Sequence, residues 1–216
     1  MTDTNSSLNQ KMSDEKGLLI KALAEKLYPF NYSVASSEST SSVEIFSELA
    51  NFTTHTFASG SESRGWIIPR GWEVLQATIS HKGKLLHDCL GSSPLGCAYL
   101  SPSFQGKVNK QELLDHCSWR EDLPGATVYD WTRLYRQGVK DWGLSIPWNV
   151  LKELPEADLE IDIVTSEYEC EMKVLDLYIP GSSDKEILFN AHNCHPFQAN
   201  DDISGCATLI ALFTQF

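Results

Sequence analysis

No stretch of this 216-residue chain approaches the roughly 18–20 consecutive apolar residues needed to cross a bilayer, so the sequence offers no membrane span. Basic residues are scarce: 17 Lys and Arg stand against 29 Asp and Glu, a formal net charge of −12. A nucleic-acid binder or an anionic-membrane binder needs a basic face, and this balance excludes both as partners. The acidity itself is explained by solubility. The opening residues, MTDTNSSLNQKMSDEKG, lack the basic end and apolar core of a secretory signal, which makes the cytoplasm the expected location. Six cysteines (89, 97, 117, 170, 194 and 206) include no C-x-x-C pair, and in a cytosolic chain they are expected to be free thiols. There is also no internal repeat and no Gly-rich phosphate loop.

What is present is the composition of a soluble globular protein, 42% hydrophobic and 21% charged, long enough for one ordinary domain or two small ones. Residues 1–12 are polar and expected to be disordered. Ser13, followed by Asp14 and Glu15, reads as a helix cap. The helix it opens carries a stripe at Leu19, Leu23 and Leu27 and ends at Pro29. The link Ser36–Ser42 caps a second helix with Val43, Phe46, Leu49 and Ala50 on its buried face. These helices occupy residues 13–53. A β-rich region follows over 54–150, with a hairpin turn at HKGK (81–84), a short helix capped by Asn109, and an aromatic stretch holding Trp119, Tyr129, Trp131, Tyr135, Trp142 and Trp148. Such aromatics are expected mainly as core and loop anchors.

From 151 to 216 the texture is α/β. Period-two alternation in DLEIDIVTSEYECEMKVLDLYIPG predicts two antiparallel strands with one wet face. Ile187–Ala191 is nearly all apolar and predicts a central strand buried on both faces. SGCATLIALF then reads as the start of a helix packed on the sheet, with Gly205 allowing close approach. The intervening AHNCHPFQANDDISG therefore falls between a strand's C-terminal end and a helix, where ligands collect in open α/β sheets.

Three chemistries are open to that loop. Imidazole nitrogen and carboxylate oxygen suit zinc, and a strand end and a helix entry are rigid places to hold ligands. At period two, His192 and Cys194 point to the same side if the strand continues that far. Cys194 with His195 has the composition of a thiol nucleophile and base, but adjacent residues on an extended loop point apart. Asp201 and Asp202 also have a purely structural role as helix-entry acids.

The composite string is more specific than its parts. A histidine at a strand end followed by A-N-D-x-x-S-G at a helix entry resembles the co-catalytic zinc aminopeptidases, which share a family with glutamate carboxypeptidases and glutaminyl cyclases. His-x-Cys-His-Pro before that motif, with GWIIPRGWEV, YLSPSFQGKVNKQELLDHC and KDWGLSIPWNVLKELP upstream, resembles a bacterial aminopeptidase-like branch formerly described as a domain of unknown function. The resemblance runs from about residue 18 to the end. It implies an α/β three-layer sandwich, incomplete here, with a small β-rich domain inserted after the first helices.

It also implies zinc, one or two ions in a complete homologue and weakly held or absent in this chain, through His192 and Asp201, with His195 as a further candidate ligand. The implied activity is hydrolysis of a peptide or amide bond, with a peptide or related small molecule as the substrate. One departure stands out: the aspartate of the family's His-x-Asp is Cys194 here. The family's water-activating glutamate and remaining ligands lie downstream of the S-G helix, past Phe216. The expectation is therefore a fragment or truncated relative, ahead of a half-protein completed by a partner chain, with apolar surface exposed at Ile187–Phe189 and Leu209–Phe213. The alternative is a non-catalytic module whose aromatic β-rich domain recognises a peptide or saccharide. The sequence is compatible with a homo-oligomer and sets no oligomeric state. The pure 216-residue chain is expected to show no aminopeptidase activity with zinc added. Zinc-dependent release of an N-terminal residue by that chain would overturn this expectation.

Overall fold

The computed structural model describes residues 2–130 and 141–213, and resolves into two units. One unit combines residues 1–71 with 169–216; the other is Trp72–Tyr168.

The first unit opens with α1 (Thr2–Leu27) and α2 (Ser37–Leu49). Helix α1 begins eleven residues before the cap expected at Ser13, across the stretch 1–12 expected to be disordered. No Pro or Gly interrupts the chain before Gly17, so the helical ladder has no breaker to stop it at Ser13. Leu23 and Leu27 are buried as the stripe predicts, whereas Leu19 is exposed. Ser36 caps α2, its hydroxyl accepting from the Ser39 N–H at 3.0 Å. Strand β1 (Thr53–Ala58) follows, then the small pair β2 (Glu62–Ser63) and β3 (Trp66–Ile67).

The second unit is built on a four-stranded sheet in the order β5-β4-β9-β6, from β4 (Gly71–His81), β5 (Lys84–Asp88), β6 (Phe104–Val108) and β9 (Leu159–Tyr168). The HKGK turn is a two-residue hairpin with positive φ at Lys82 (49°) and Gly83 (73°), the mirror-image turn that matches strand twist. The short elements α3 (Cys89–Ser92), α4 (Lys110–Asp115), β7 (Cys117–Ser118), β8 (Leu144–Ser145) and α5 (Trp148–Leu151) complete it. Asn109 caps α4 as expected, accepting from the Glu112 N–H at 2.9 Å. Leu159, Ile161 and Ile163 of β9 alternate inward. On its other face Asp162 accepts from Gln76 and Gln105, one on each neighbouring strand. The aromatics are largely internal. Trp142 lies between the rings of His116 (4.1 Å) and Phe104 (4.6 Å), and Trp119 stacks on Trp148. Trp131 and Tyr135 lie outside the described residues.

Strand β10 (Glu171–Asp176) departs from the sequence reading. It does not pair with β9. It runs antiparallel to β1, from Thr53↔Asp176 to Ala58↔Glu171, and Ser59 clamps the entry by bonding both the N–H and the C=O of Cys170. The two alternating strands therefore belong to different units, and the inserted unit spans 72–168 rather than 54–150. Period-two alternation identifies a wet-faced strand but says nothing about its neighbour.

A second departure concerns Ile187–Ala191, which forms no strand. Its exposure at Ile187–Phe189 is as expected, whereas Leu209–Phe213, also expected exposed, is half-buried with Ile210 and Ala211 buried. Ile187 is 81% exposed and Leu188 90% exposed, and neither lies in a named strand. A strand needs adjacent backbone to pair its N–H and C=O groups, and among the described residues none is aligned with this segment. Helix α6 (Ile203–Phe213) closes the first unit. It buries Ile203, Ala207, Ile210 and Ala211, one helical stripe, and the first three cluster with Leu23, Leu27, Tyr32 and Phe46. Burying each large aliphatic there contributes about 1.5–3 kcal/mol.

His87 sets an acid limit on the inserted unit. Its Nε2 is buried without a hydrogen-bond partner, and burial holds its pKa below the ordinary value, partly opposed by Asp88. The unfolded chain takes up this proton near its ordinary pKa of about 6.5 while the folded chain resists it, so stability is lost as pH falls below that value. Urea midpoints measured from pH 7.5 to 5 are expected to fall less steeply for His87→Leu than for the parent chain. Parallel pH profiles would contradict this.

Candidate metal centre

The loop 191–202 is tied down at both ends. Towards the N-terminal helices, the Phe197 N–H donates to Phe30 C=O, Asn31 bridges Pro196, and the Phe197 ring meets Tyr28 edge-on. Towards α6, the His192 N–H donates to Asp202 Oδ2 at 3.2 Å, and the Cys206 thiol donates to the His192 C=O at 3.6 Å. The backbone of His192 is thus held on both sides by groups at the start of α6.

Asp202 performs this task because residue 205 is glycine. A Cβ at Gly205 would lie 2.1 Å from Asp202 Oδ1, so the carboxylate occupies the space a side chain would fill. The sequence reading gives Gly205 a role in helix-to-sheet packing; the neighbour it accommodates is Asp202. Ser204 is a helix-entry residue as expected, its N–H donating to Ala199 C=O and its hydroxyl to Asn200 C=O.

The expected site residues meet unevenly. His192 Nε2 stands 3.0 Å from Asp201 Oδ1. The His192 and His195 rings are 6.2 Å apart. Cys194 Sγ lies 3.4 Å from His192 Nδ1 and 3.9 Å from His195 Nδ1. His192 and Cys194 thus approach each other although no strand runs through them, the condition under which period two would place them on one side. Among the described residues, His192, Cys194 and His195 form a group whose donor atoms all lie within 4.8 Å of one another, and Asp201 is not a member of it.

Gln198 gave no signal in the sequence, because a lone glutamine in a polar loop reads as solvent-facing. It is 1% exposed, and its carboxamide hydrogen-bonds His195 Nδ1 at 2.8 Å. Burial lowers the His195 pKa, with Asp201 opposing and His192 adding to the shift, so the ring is neutral at pH 7. Loss of water on its inner side, and then the charge of Asp201, raise the Cys194 pKa. A catalytic thiol needs the opposite shift, which weighs against the thiol-hydrolase reading. Cys206 is pushed up to about 12, chiefly by burial.

A cleft of about 490 Å³ opens in the inserted unit, lined by residues including Trp119, Arg120, Tyr129 and Asp130. Asp130 is 3% exposed and accepts from the Ser118 hydroxyl, while Arg120 pairs with Asp122.

Together these features define a mixed α/β chain with a histidine- and carboxylate-bearing loop anchored on a helix entry. The chain belongs to the family described as a domain of unknown function, DUF4910, whose model matches residues 21–216. It is similar to a Clostridium acetobutylicum protein provisionally named a polysaccharide biosynthesis protein with an aminopeptidase-like domain. The two are 27% identical over 201 residues, covering 91% of this chain and 44% of that protein. A crystal structure from Clostridium acetobutylicum, provisionally described as a peptidase, superimposes with a TM-score of 0.72 at 23% identity, covering 99% of this chain and 50% of the other. The shared architecture is thus a mixed α/β fold, and the chain spans about half the length of these relatives. No helix among the described residues is long and apolar enough to cross a membrane.

Gly205→Ala is expected to destabilise the chain by about 1–3 kcal/mol in urea unfolding, as overpacking does. In an Asp202→Ala background the obstructing carboxylate is gone, and the same substitution should cost markedly less. Equal costs in both backgrounds would show that Asp202 is not what Gly205 accommodates.

Proposed function

We propose that this chain carries the metal-holding loop of a zinc-dependent aminopeptidase-like hydrolase of peptide or amide bonds, on the three-layer sandwich of that class. The observation that carries the reading is the convergence at His192, whose main chain is fixed by α6 and whose ring lies 3.0 Å from Asp201 and beside Cys194 and His195. The relatives' aminopeptidase-like and peptidase descriptions support it.

His192, Asp201 and His195 are the residues through which the chain would hold zinc, and the donor chemistry fits. Neutral imidazoles and a carboxylate are borderline ligands suited to that ion. When bound, zinc would supply Lewis acidity to the scissile carbonyl and acidify a water molecule. The chain's own contribution is orientation. Asp202 and Cys206 fix where His192 sits, Asp201 sets its ring, and Gln198 holds His195. Low His195 pKa keeps that ring unprotonated and able to donate a lone pair at neutral pH.

A second reading is favoured by the aromatic cleft of the inserted unit. Trp119 and Tyr129 beside a buried carboxylate suit a saccharide, which offers apolar ring faces and paired hydroxyls, and the curated relative's name links it to polysaccharide biosynthesis.

Zinc analysis separates the two. Calorimetry on the chelator-treated chain is expected to show stoichiometric zinc uptake that His192→Ala weakens more than about 100-fold, beyond the usual cost of losing an outer-shell partner. An absence of zinc uptake, with oligosaccharide binding lost in Trp119→Ala, would favour the binding module.

A further inference from the structure

The metal-holding reading leaves open which atoms face the ion, and the geometry of His192 narrows the choice. Its two ring nitrogens have different neighbours: Asp201 Oδ1 at Nε2, 3.0 Å away, and Cys194 Sγ at Nδ1, 3.4 Å away. One imidazole gives one nitrogen to a metal and keeps a proton on the other. If Nε2 faced the ion, Nδ1–H would be left beside a thiol, a weak acceptor. If Nδ1 faces the ion, Nε2–H donates to Asp201, the carboxylate–histidine–metal arrangement that fixes tautomer and ring.

The second arrangement also fits the distances. Tetrahedral zinc with bonds of about 2.3 Å to sulfur and about 2.0 Å to nitrogen holds those donors about 3.5 Å apart. Cys194 Sγ lies 3.4 Å from His192 Nδ1, and one donor atom from each of His192, Cys194 and His195 lies within 4.8 Å of the others. The site is also built from beneath. Gln198 is 1% exposed and bonds His195 Nδ1, yet its Oε1 is buried without a partner. Turning the carboxamide over places that oxygen on Nδ1–H and gives Nε2 of His195 to the ion, so one side chain fixes ring and tautomer together.

We infer that Cys194 is a metal ligand: zinc is held by His192 Nδ1, the Cys194 thiolate and a ring nitrogen of His195, with Asp201 acting on the far side of His192. This rests on the metal-holding reading above and reassigns Asp201 within it. Binding forms an Sγ–metal bond as the Cys194 Sγ–H bond breaks, and the proton passes to solvent. No electrons are transferred. A thiolate with two imidazoles is a soft set that selects zinc or cobalt over magnesium or manganese, and it leaves a fourth position open.

Cobalt(II) titration of the chelator-treated 216-residue chain tests this without any assay of activity. The expected result is a near-ultraviolet thiolate-to-cobalt charge-transfer band saturating at one equivalent. That band should be absent in Cys194→Ser and retained in Cys206→Ser. Zinc affinity should fall more than about 100-fold in Cys194→Ser and only about 10–100-fold in Asp201→Asn. Stoichiometric cobalt or zinc binding without the band, or a band that survives Cys194→Ser, overturns the sulfur ligand and leaves the metal-holding reading intact. Absence of binding by either metal overturns both. The spectrum of the unmutated chain decides between these outcomes even if a variant fails to fold.

Discussion

The candidate site depends on the attachment of His192 to the first turn of α6. Its N–H and C=O are taken up by the Asp202 carboxylate and the Cys206 thiol, so its position follows that of the helix. The helix in turn is fixed by burial of Ile203, Ala207 and Ile210 against Leu23, Leu27, Tyr32 and Phe46. Hydrophobic packing among helices distant in sequence thereby sets the place of a half-exposed histidine. This is how a loop with few apolar contacts of its own can carry a rigid arrangement of donors.

Around that anchor the polar residues divide the work. Asp201 and Asp202 are adjacent but serve different atoms of the same histidine, one its ring and the other its main chain. Gly205 makes room for the second, and Gln198 supports His195 from a buried position. Three side chains, Asp201, Asp202 and Gln198, are thus engaged in orienting two histidines. A solvated connecting loop has no need of a buried glutamine whose amide is directed at a histidine.

Much of this was legible in the sequence where local rules decide. The caps at Ser36 and Asn109, the HKGK turn and the inward alternation of Leu159, Ile161 and Ile163 follow from side-chain chemistry within a few residues. Long-range pairing was not legible. Alternation across 159–176 could not reveal that β9 and β10 join different sheets, because the ladder is set by β1, more than a hundred residues earlier. Ile187–Phe189 has a strand's composition but forms none, since composition does not supply the neighbouring backbone a strand requires. Gln198 was missed for a related reason: its burial arises from the tertiary placement of the loop.

The family and the fold are established by resemblance over nearly the whole chain, while the chemistry is argued from the loop's own geometry. The most direct test of that argument is anomalous diffraction at the zinc edge from crystals grown with zinc. The account predicts a peak within bonding distance of His192, bordered by Cys194 and His195. Full zinc occupancy elsewhere in the chain, with no anomalous density at His192, would contradict it.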